Sequence, residues 1–512
     1  MMRFRDRFDR SKRRPSTRAQ RTGFALFWLV LLSYAYIIPS TPSFNSESHL
    51  YVTFGLVDHG SVTIDRYHTR LGDQAYWRGH YYSDKAPGIS LLAVPVYAAL
   101  RLAFPHKRGL GYEAYSHMRY AIPRDTSYIR YAITYILVML PSALFAVLLW
   151  LFLSNFSSRR SWTLVLAGVY SLGTIAFYYS TVFFSHQIAA MLIFGAFLVL
   201  HRWVRHAPRD SRAYRGAAVA GFLSAYAIIS EYPTIVPAGL LAVYAVYVSA
   251  ARLRTGLSFV SGGLLPGLIG LSYNVATFGK PLATGYMHVR SGMYHNEVRG
   301  GALGLANPAS YGLTMPHLDA LWEITFGAYR GIFVVSPVLL LFVPGLVRMW
   351  RQQDLRLEWW LCVAIVCLYF LMDASHAANL NGWSGGRSVA SRHLTPVLPF
   401  MIFPLVFGLD RRWFRYALVA LGSLSIASMY TIVWAQGDFP ASDHNPLVDL
   451  VLRHVMHGEV LINWGNLLGL TGVAALLPLW AAASMLLLRI VKLTGSEASS
   501  APAPNPRVRE MA

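Results

Sequence analysis

A carboxylate, a lysine and a few arginines stand out in this sequence as groups whose types and spacing suit joint chemistry. Glu47 lies in Ser43-Phe44-Asn45-Ser46-Glu47-Ser48-His49, just past the first long apolar run. A carboxylate at that depth can face a cavity between helices, where partial desolvation raises its pKa and makes it a competent general base. Asp58, Asp65 and Asp84 follow in the same loop and are rivals for the role. Lys85 stands directly before Ala86-Pro87-Gly88, which turn the chain into another apolar run. That places its ammonium at headgroup depth, where lipid phosphates are found. The ordinary alternatives are a solvated carboxylate and a snorkelling lysine.

A second constellation runs from Asn379 to Pro396 and includes Gly382-Trp383-Ser384-Gly385-Gly386-Arg387 and Ser391-Arg392-His393. Glycines let backbone approach a ligand closely. The two guanidinium groups of Arg387 and Arg392 suit a grip on phosphate; the alternative is interfacial anchoring by Trp383 and the arginines. Arg330, which opens a later span, is a further candidate phosphate ligand. His186 either lines the same cavity or caps a helix, and His393 is grouped with it. Glu231, between two closely spaced spans, is expected to pair with an arginine on the same face as a structural ion pair.

Other chemistries lack their signatures. Gly279-Lys280-Pro281 has neither the cradle glycines nor the Ser/Thr of a nucleotide-binding loop. There is no Asp-x-Asp pair of the kind that holds a nucleotide-sugar metal, and no His/Asp cluster has convincing ligand spacing, so neither metal nor cofactor is expected. Cys362 and Cys367 share one apolar stretch and imply no disulfide framework.

The elements that must position these residues follow from composition. The 512 residues carry 45 Lys+Arg against 24 Asp+Glu, a net charge of +21, yet only 13% are charged while 55% are hydrophobic. An apolar body of this kind excludes a soluble nucleic-acid binder and a disordered basic chain, and leaves an all-α polytopic membrane protein lying in the lipid bilayer. A crossing needs about 20 mostly apolar residues. Candidates are 22–40, 128–153, 161–178, 183–203, 216–230, 233–250, 257–276, 331–347, 357–373, 395–409, 414–434 and 468–489. The run 88–104, with Pro95 and Arg101, is expected to lie in the interface as a juxtamembrane helix. About twelve spans then put both termini in the cytoplasm, with 28 of the 45 basic residues but only 8 of the 24 acidic ones on that side. Letting 88–104 cross would move five arginine clusters outside, against the positive-inside rule. The outer segments are 41–127, 277–330, 374–394 and 435–467, over a third of the chain, and they hold the candidate residues other than His186 and Glu231. Residues 1–21 read as a basic cytoplasmic anchor and 491–512 as a disordered cytoplasmic tail.

The order of these features resembles the GT-C superfamily of integral membrane glycosyltransferases, which includes bacterial protein mannosyltransferases and the aminoarabinose transferases of lipid A. The resemblance rests on the first-loop acid; on Tyr82-Ser83-Asp84-Lys85-Ala86-Pro87-Gly88 leading into a juxtamembrane helix; on Tyr273-Asn274 with Phe278-Gly279-Lys280-Pro281-Leu282 and Gly285-Tyr286; and on Gly382 to Gly386 with Ser391 to Pro399. It covers most of residues 22–490. The chain departs from the pattern in having one acid in Asn45-Ser46-Glu47 and Lys-Ala-Pro for Lys-Pro-Pro. The resemblance implies inverting transfer of a sugar from a polyprenyl-phosphate-linked donor to an envelope acceptor (lipid, polysaccharide or protein) on the periplasmic face of a cell (inner) membrane. Glu47 would be the base, and Lys85, Arg387, Arg392 and Arg330 would surround the donor phosphate. The other readings are a lipid-linked-sugar flippase and a non-catalytic subunit of an envelope-polymer assembly. Arginine outnumbers lysine 40 to 5, which suits a GC-rich bacterial source.

Overall fold

Hydrocarbon supplies no hydrogen-bond partners, so each apolar stretch must satisfy its own backbone as a helix. A computed structural model of the chain describes residues 17–38, 43–68, 71, 73–104, 124–206, 211–288, 313, 315–376, 385–435, 439 and 445–499. Helices occupy all of the expected apolar stretches. The principal ones are α1 (Thr17–Ala35), α2 (Phe44–His59), α3 (Gly88–Ala103), α4 (Tyr128–Leu153), α5 (Arg160–Gly173), α6 (Ser185–Arg205), α7 (Ser211–Ser230), α8 (Tyr232–Val248), α9 (Arg252–Phe278), α10 (Pro337–Trp350), α11 (Gln353–Ala374), α12 (Arg392–Gly408), α13 (Arg412–Ala435) and α14 (Gly472–Thr494). Six of them (α4, α6, α9, α11, α13 and α14) are long and apolar enough to cross a bilayer. The apolar helices α3, α8, α10 and α12 are shorter. Proline explains part of this: Pro396, Pro399 and Pro404 break α12 into alternating 3-10 and α turns. The chain is therefore an all-α membrane protein. The last helix continues to Ser499, past residue 491, where the sequence reading starts a tail. Residues 1–16 and 500–512 of the expected tails lie outside the described residues, as do Asn379 to Ser384 of the Gly-rich loop.

Two features position the site. The first is the helical hairpin α2–α3, packed across one end of the bundle. The Thr53 hydroxyl donates to the Ser90 carbonyl at 2.9 Å, and Asp58 accepts from Tyr97 and Arg101, each at 2.8 Å. At 16 residues α3 is about 24 Å long, short of the roughly 30 Å of hydrocarbon. Between α2 and α3 a small antiparallel ribbon, β1 (Ala75–Trp77) and β2 (His80–Tyr82), turns through Arg78 and Gly79, both at positive φ. It carries Ser83, Asp84 and Lys85 back to the bundle. At its far end Gly88 meets α7 so closely that a Cβ there would lie 2.3 Å from the Ser230 hydroxyl.

The second feature is the contact of α7 with α9. A Cβ on Gly262 would lie 1.8 Å from the Ala218 carbonyl oxygen, and one on Gly221 would lie 1.8 Å from that of Phe259. With no hydrophobic force between helices in lipid, such backbone-to-backbone approach is what holds them. The contact matters for α9, because only 17% of its most apolar window is buried by protein. The rest, including Leu253, Leu257, Leu265 and Leu268, faces outward.

Gly262→Ala is expected to push α9 off α7, at a cost of about 1–3 kcal/mol. Thermal unfolding of the detergent-solubilised protein should show a lowered midpoint, while the outward-facing Leu265→Ala leaves it nearly unchanged.

Candidate active site

The polar residues that the sequence scatters between Glu47 and His393 collect at one end of the bundle. The N-terminal turns of α2, α3, α6 and α12 meet there with the C-terminal ends of α7 and α11. At the centre is Lys85, buried, with its Nζ 2.9 Å from Asp73 Oδ2 and 3.0 Å from Asp84 Oδ2. Burial works against the ammonium, but the two carboxylates outweigh it and hold Lys85 above the ordinary lysine value. The carboxylates divide. Burial works against Asp73 as well, yet Lys85 and then Arg392 keep it below the usual carboxylate range. Burial pushes Asp84 above that range, with Lys85 only partly opposing. Ser83 accepts from the Lys85 amide at 3.1 Å and lies 2.7 Å from the Ser48 hydroxyl, which ties the segment to α2. Gly285 presses against it, and a Cβ there would be 2.5 Å from Asp84 Cα.

Arg392 is the second cation. Its guanidinium lies over the Phe184 ring at 5.7 Å, and Gly385, at φ +71°, leaves room for its stem. Its charge is felt at Lys85, Asp73, Asp84 and Tyr286, which makes these groups one electrostatic neighbourhood. Among the described residues no carboxylate forms an ion pair with it, and its Nε is buried without a hydrogen-bond partner. Beside it, Asp373 at the end of α11 accepts from Ser391 at 2.6 Å and lies 2.8 Å from His393 Nδ1. The His393 ring is 5.9 Å from that of His186 and stacks on His376 at 5.2 Å.

Several expected residues take different places. Glu47 is buried, but Arg130 seals it, with the guanidinium nitrogen 2.7 Å from Oε1. The helical turn of α2 directs Ser48 toward Asp84 and Glu47 toward the neighbouring helix, so Glu47 is ion-paired instead of open to a cavity. Asp58 is bound to Arg101 and Tyr97. Asp65 holds the ribbon, accepting from the Tyr81 amide at 2.6 Å and lying 2.7 Å from His80 Nδ1. Arg330 is fully buried and donates to the carbonyls of Ser388, Gly386 and Phe439. It shapes the loop ahead of Arg392 and does not face the chamber as a phosphate ligand would. Arg387 is exposed on that loop. Glu231 is paired, though not with arginine: the N-terminus of α6 brings His186 Nδ1 to 2.5 Å and the Ser185 hydroxyl into contact with it. The residues that sequence reasoning missed are Asp73, Arg130, His49 and His376. The i,i+3 spacing of Asp373 and His376 was a readable signal; nothing local marked Asp73.

An apolar groove of about 420 Å³ runs between α7, α8 and α9, lined by Gly221, Ile228, Ile235, Phe259, Leu264 and Leu268. Ile228 and Ile235, which lie three and four residues from Glu231 in the chain, place part of the groove at the end of α7 and the start of α8.

His49, buried on α2, has Nδ1 3.2 Å from the Ser90 hydroxyl. Burial holds it as neutral imidazole, pulling its pKa down to about 3; Glu231 opposes this, while Lys85, His186 and Arg392 reinforce it. A histidine with a lower pKa folded than unfolded contributes stability that is fully present above about pH 6.5 and lost as pH falls toward the folded value. The folded state should therefore lose about 2 kcal/mol from this residue between pH 6.5 and pH 5. Thermal midpoints against pH should decline over that interval, and less steeply in His49→Gln. No family model, no curated protein and no solved structure matches the chain.

Proposed function

We propose that the protein is an inverting glycosyltransferase that moves a sugar from a polyprenyl-phosphate donor to an envelope acceptor on the extracytoplasmic face. The observation that carries this reading is the nearness of two unlike surroundings at one end of the bundle. One is a polar cluster with a buried ammonium and a guanidinium that, among the described residues, no carboxylate pairs. The other is an apolar groove, part of which lies at the end of α7 and the start of α8. A ligand that fits both has an anionic head and a long hydrocarbon tail. The charge partition of the sequence supports the placement on the outer face, and the order of motifs supports the GT-C class.

In this reading the donor phosphate lies between Lys85 and Arg392, with its tail along the groove. Asp84, the carboxylate whose environment favours protonation, takes the proton of the acceptor hydroxyl. That oxygen bonds to the anomeric carbon from the opposite face. The bond from that carbon to the phosphate oxygen breaks, and its electron pair stays on the phosphate. The two cations stabilise the charge that develops there. Once protonated, Asp84 holds Lys85 less tightly, so the ammonium turns to the phosphate as its charge grows. Asp73 stays ionised as the permanent counter-ion. Glu47, sealed by Arg130, fixes α2.

The test is sugar transfer by the purified full-length protein from a radiolabelled polyprenyl-phosphate sugar to membrane acceptors. Asp84→Asn should lower kcat at least about 100-fold. Lys85→Ala and Arg392→Ala should raise the donor KM, and Glu47→Gln should retain turnover. Wild-type-like turnover by Asp84→Asn, with loss in Glu47→Gln, would return the base to Glu47. Donor movement across vesicles without sugar transfer would make the protein a flippase.

A further inference from the structure

We propose that Asp373, His376 and His393 bind one divalent transition-metal ion, zinc foremost. Asp373 is fully buried, and its partners among the described residues are Ser391 and the two imidazoles. No lysine or arginine pairs with it there. An interior carboxylate is costly without a positive charge beside it, and among the described residues neither lysine nor arginine brings one. A divalent ion supplies the charge.

The geometry is that of a ligand set. His393 Nδ1 is 2.8 Å and His376 Nδ1 3.9 Å from the same oxygen, Asp373 Oδ1, and one ligand atom from each residue lies within 4.8 Å of the others. Ligands about 2.1 Å from a tetrahedral ion are about 3.4 Å apart, so small side-chain rotations close the site. His376 Nδ1 is buried and makes no hydrogen bond. The other carboxylate oxygen, Oδ2, accepts from Ser391 at 2.6 Å, which leaves Oδ1 directed at the rings, as an outer partner of a metal ligand does. The scaffold is firm: Asp373 is on the last turn of α11, where the helix dipole favours a cation, and His393 is on the first turn of α12. Two imidazoles and a carboxylate suit zinc, and three protein ligands keep a position open for a water or a phosphate oxygen. Binding of the ion does not depend on which group the neighbouring chamber transfers.

The test uses full-length protein carrying no polyhistidine tag, stripped with EDTA, reloaded with zinc, passed through gel filtration and analysed by mass spectrometry for metal. The native chain should retain about one ion, and His376→Ala and Asp373→Asn a small fraction of that. Reloading with Co²⁺ should give visible d–d absorption in the native protein that is lost in His376→Ala, a substitution at a half-buried position that leaves the helices intact. Native protein that retains no zinc after reloading overturns the site. So does His376→Ala that retains as much as native. Asp373 and His393 are then an ordinary hydrogen-bonded pair. Loss of zinc with sugar transfer unchanged would still support the ion site, and transfer failing in metal-loaded native protein would count only against the transferase reading.

Discussion

One ammonium shared by two carboxylates organises the polar end of this molecule. Lys85, Asp73 and Asp84 come from a single stretch of loop, yet Lys85 and Asp84 are withdrawn from solvent and Asp73 is half-buried. Charges in that position must be paired or neutralised, so the loop cannot relax outward without losing its counter-ions. The β1–β2 ribbon, the Gly88–Ser230 contact and the approach of Gly285 can all be understood as serving this arrangement. Each brings backbone close where a side chain would have kept the ion set apart.

The charges that stabilise and the charges available to a ligand are separate sets. Glu47 with Arg130, Asp58 with Arg101 and Glu231 with His186 are closed pairs that fasten one helix to another. Arg330 is consumed by backbone carbonyls. What remains is small: Arg392, with its buried unpartnered Nε, and the surplus capacity of the lysine triad. Far from it, at the opposite end of the bundle, Glu358 is buried with Arg205 at 2.9 Å and Tyr244 at 2.7 Å. That pair faces none of the groups around Lys85, and Arg205 lines a separate open pocket of about 470 Å³ there.

The class of the fold was legible because membrane burial leaves a strong compositional trace, and the twelve apolar stretches all became helices. Their lengths were less legible, since prolines in α12 and at the start of α8 and α10 shorten the regular helix within an apolar run. At the site, Lys85 and Arg392 could be singled out because each stands just ahead of an apolar run, beside the glycine and proline that turn the chain into it. The choice among acids could not be made in one dimension. Glu47 and Asp84 differ by which helix or loop faces them, and that is decided by the rotation of α2 and the register of a three-residue ribbon. Asp73 carried no local mark, because its partner comes from a turn formed twelve residues later.

The groove between α7, α8 and α9 has walls that are themselves largely uncovered: Ile235, Val260, Leu264 and Leu268 are more than half exposed. It therefore opens sideways. A molecule with a long tail can enter by sliding within one leaflet, without the tail ever leaving oil. Its supply is then counted in molecules per unit area, and the encounter is a two-dimensional search set by membrane composition and fluidity. Dilution of the surrounding water leaves that search untouched.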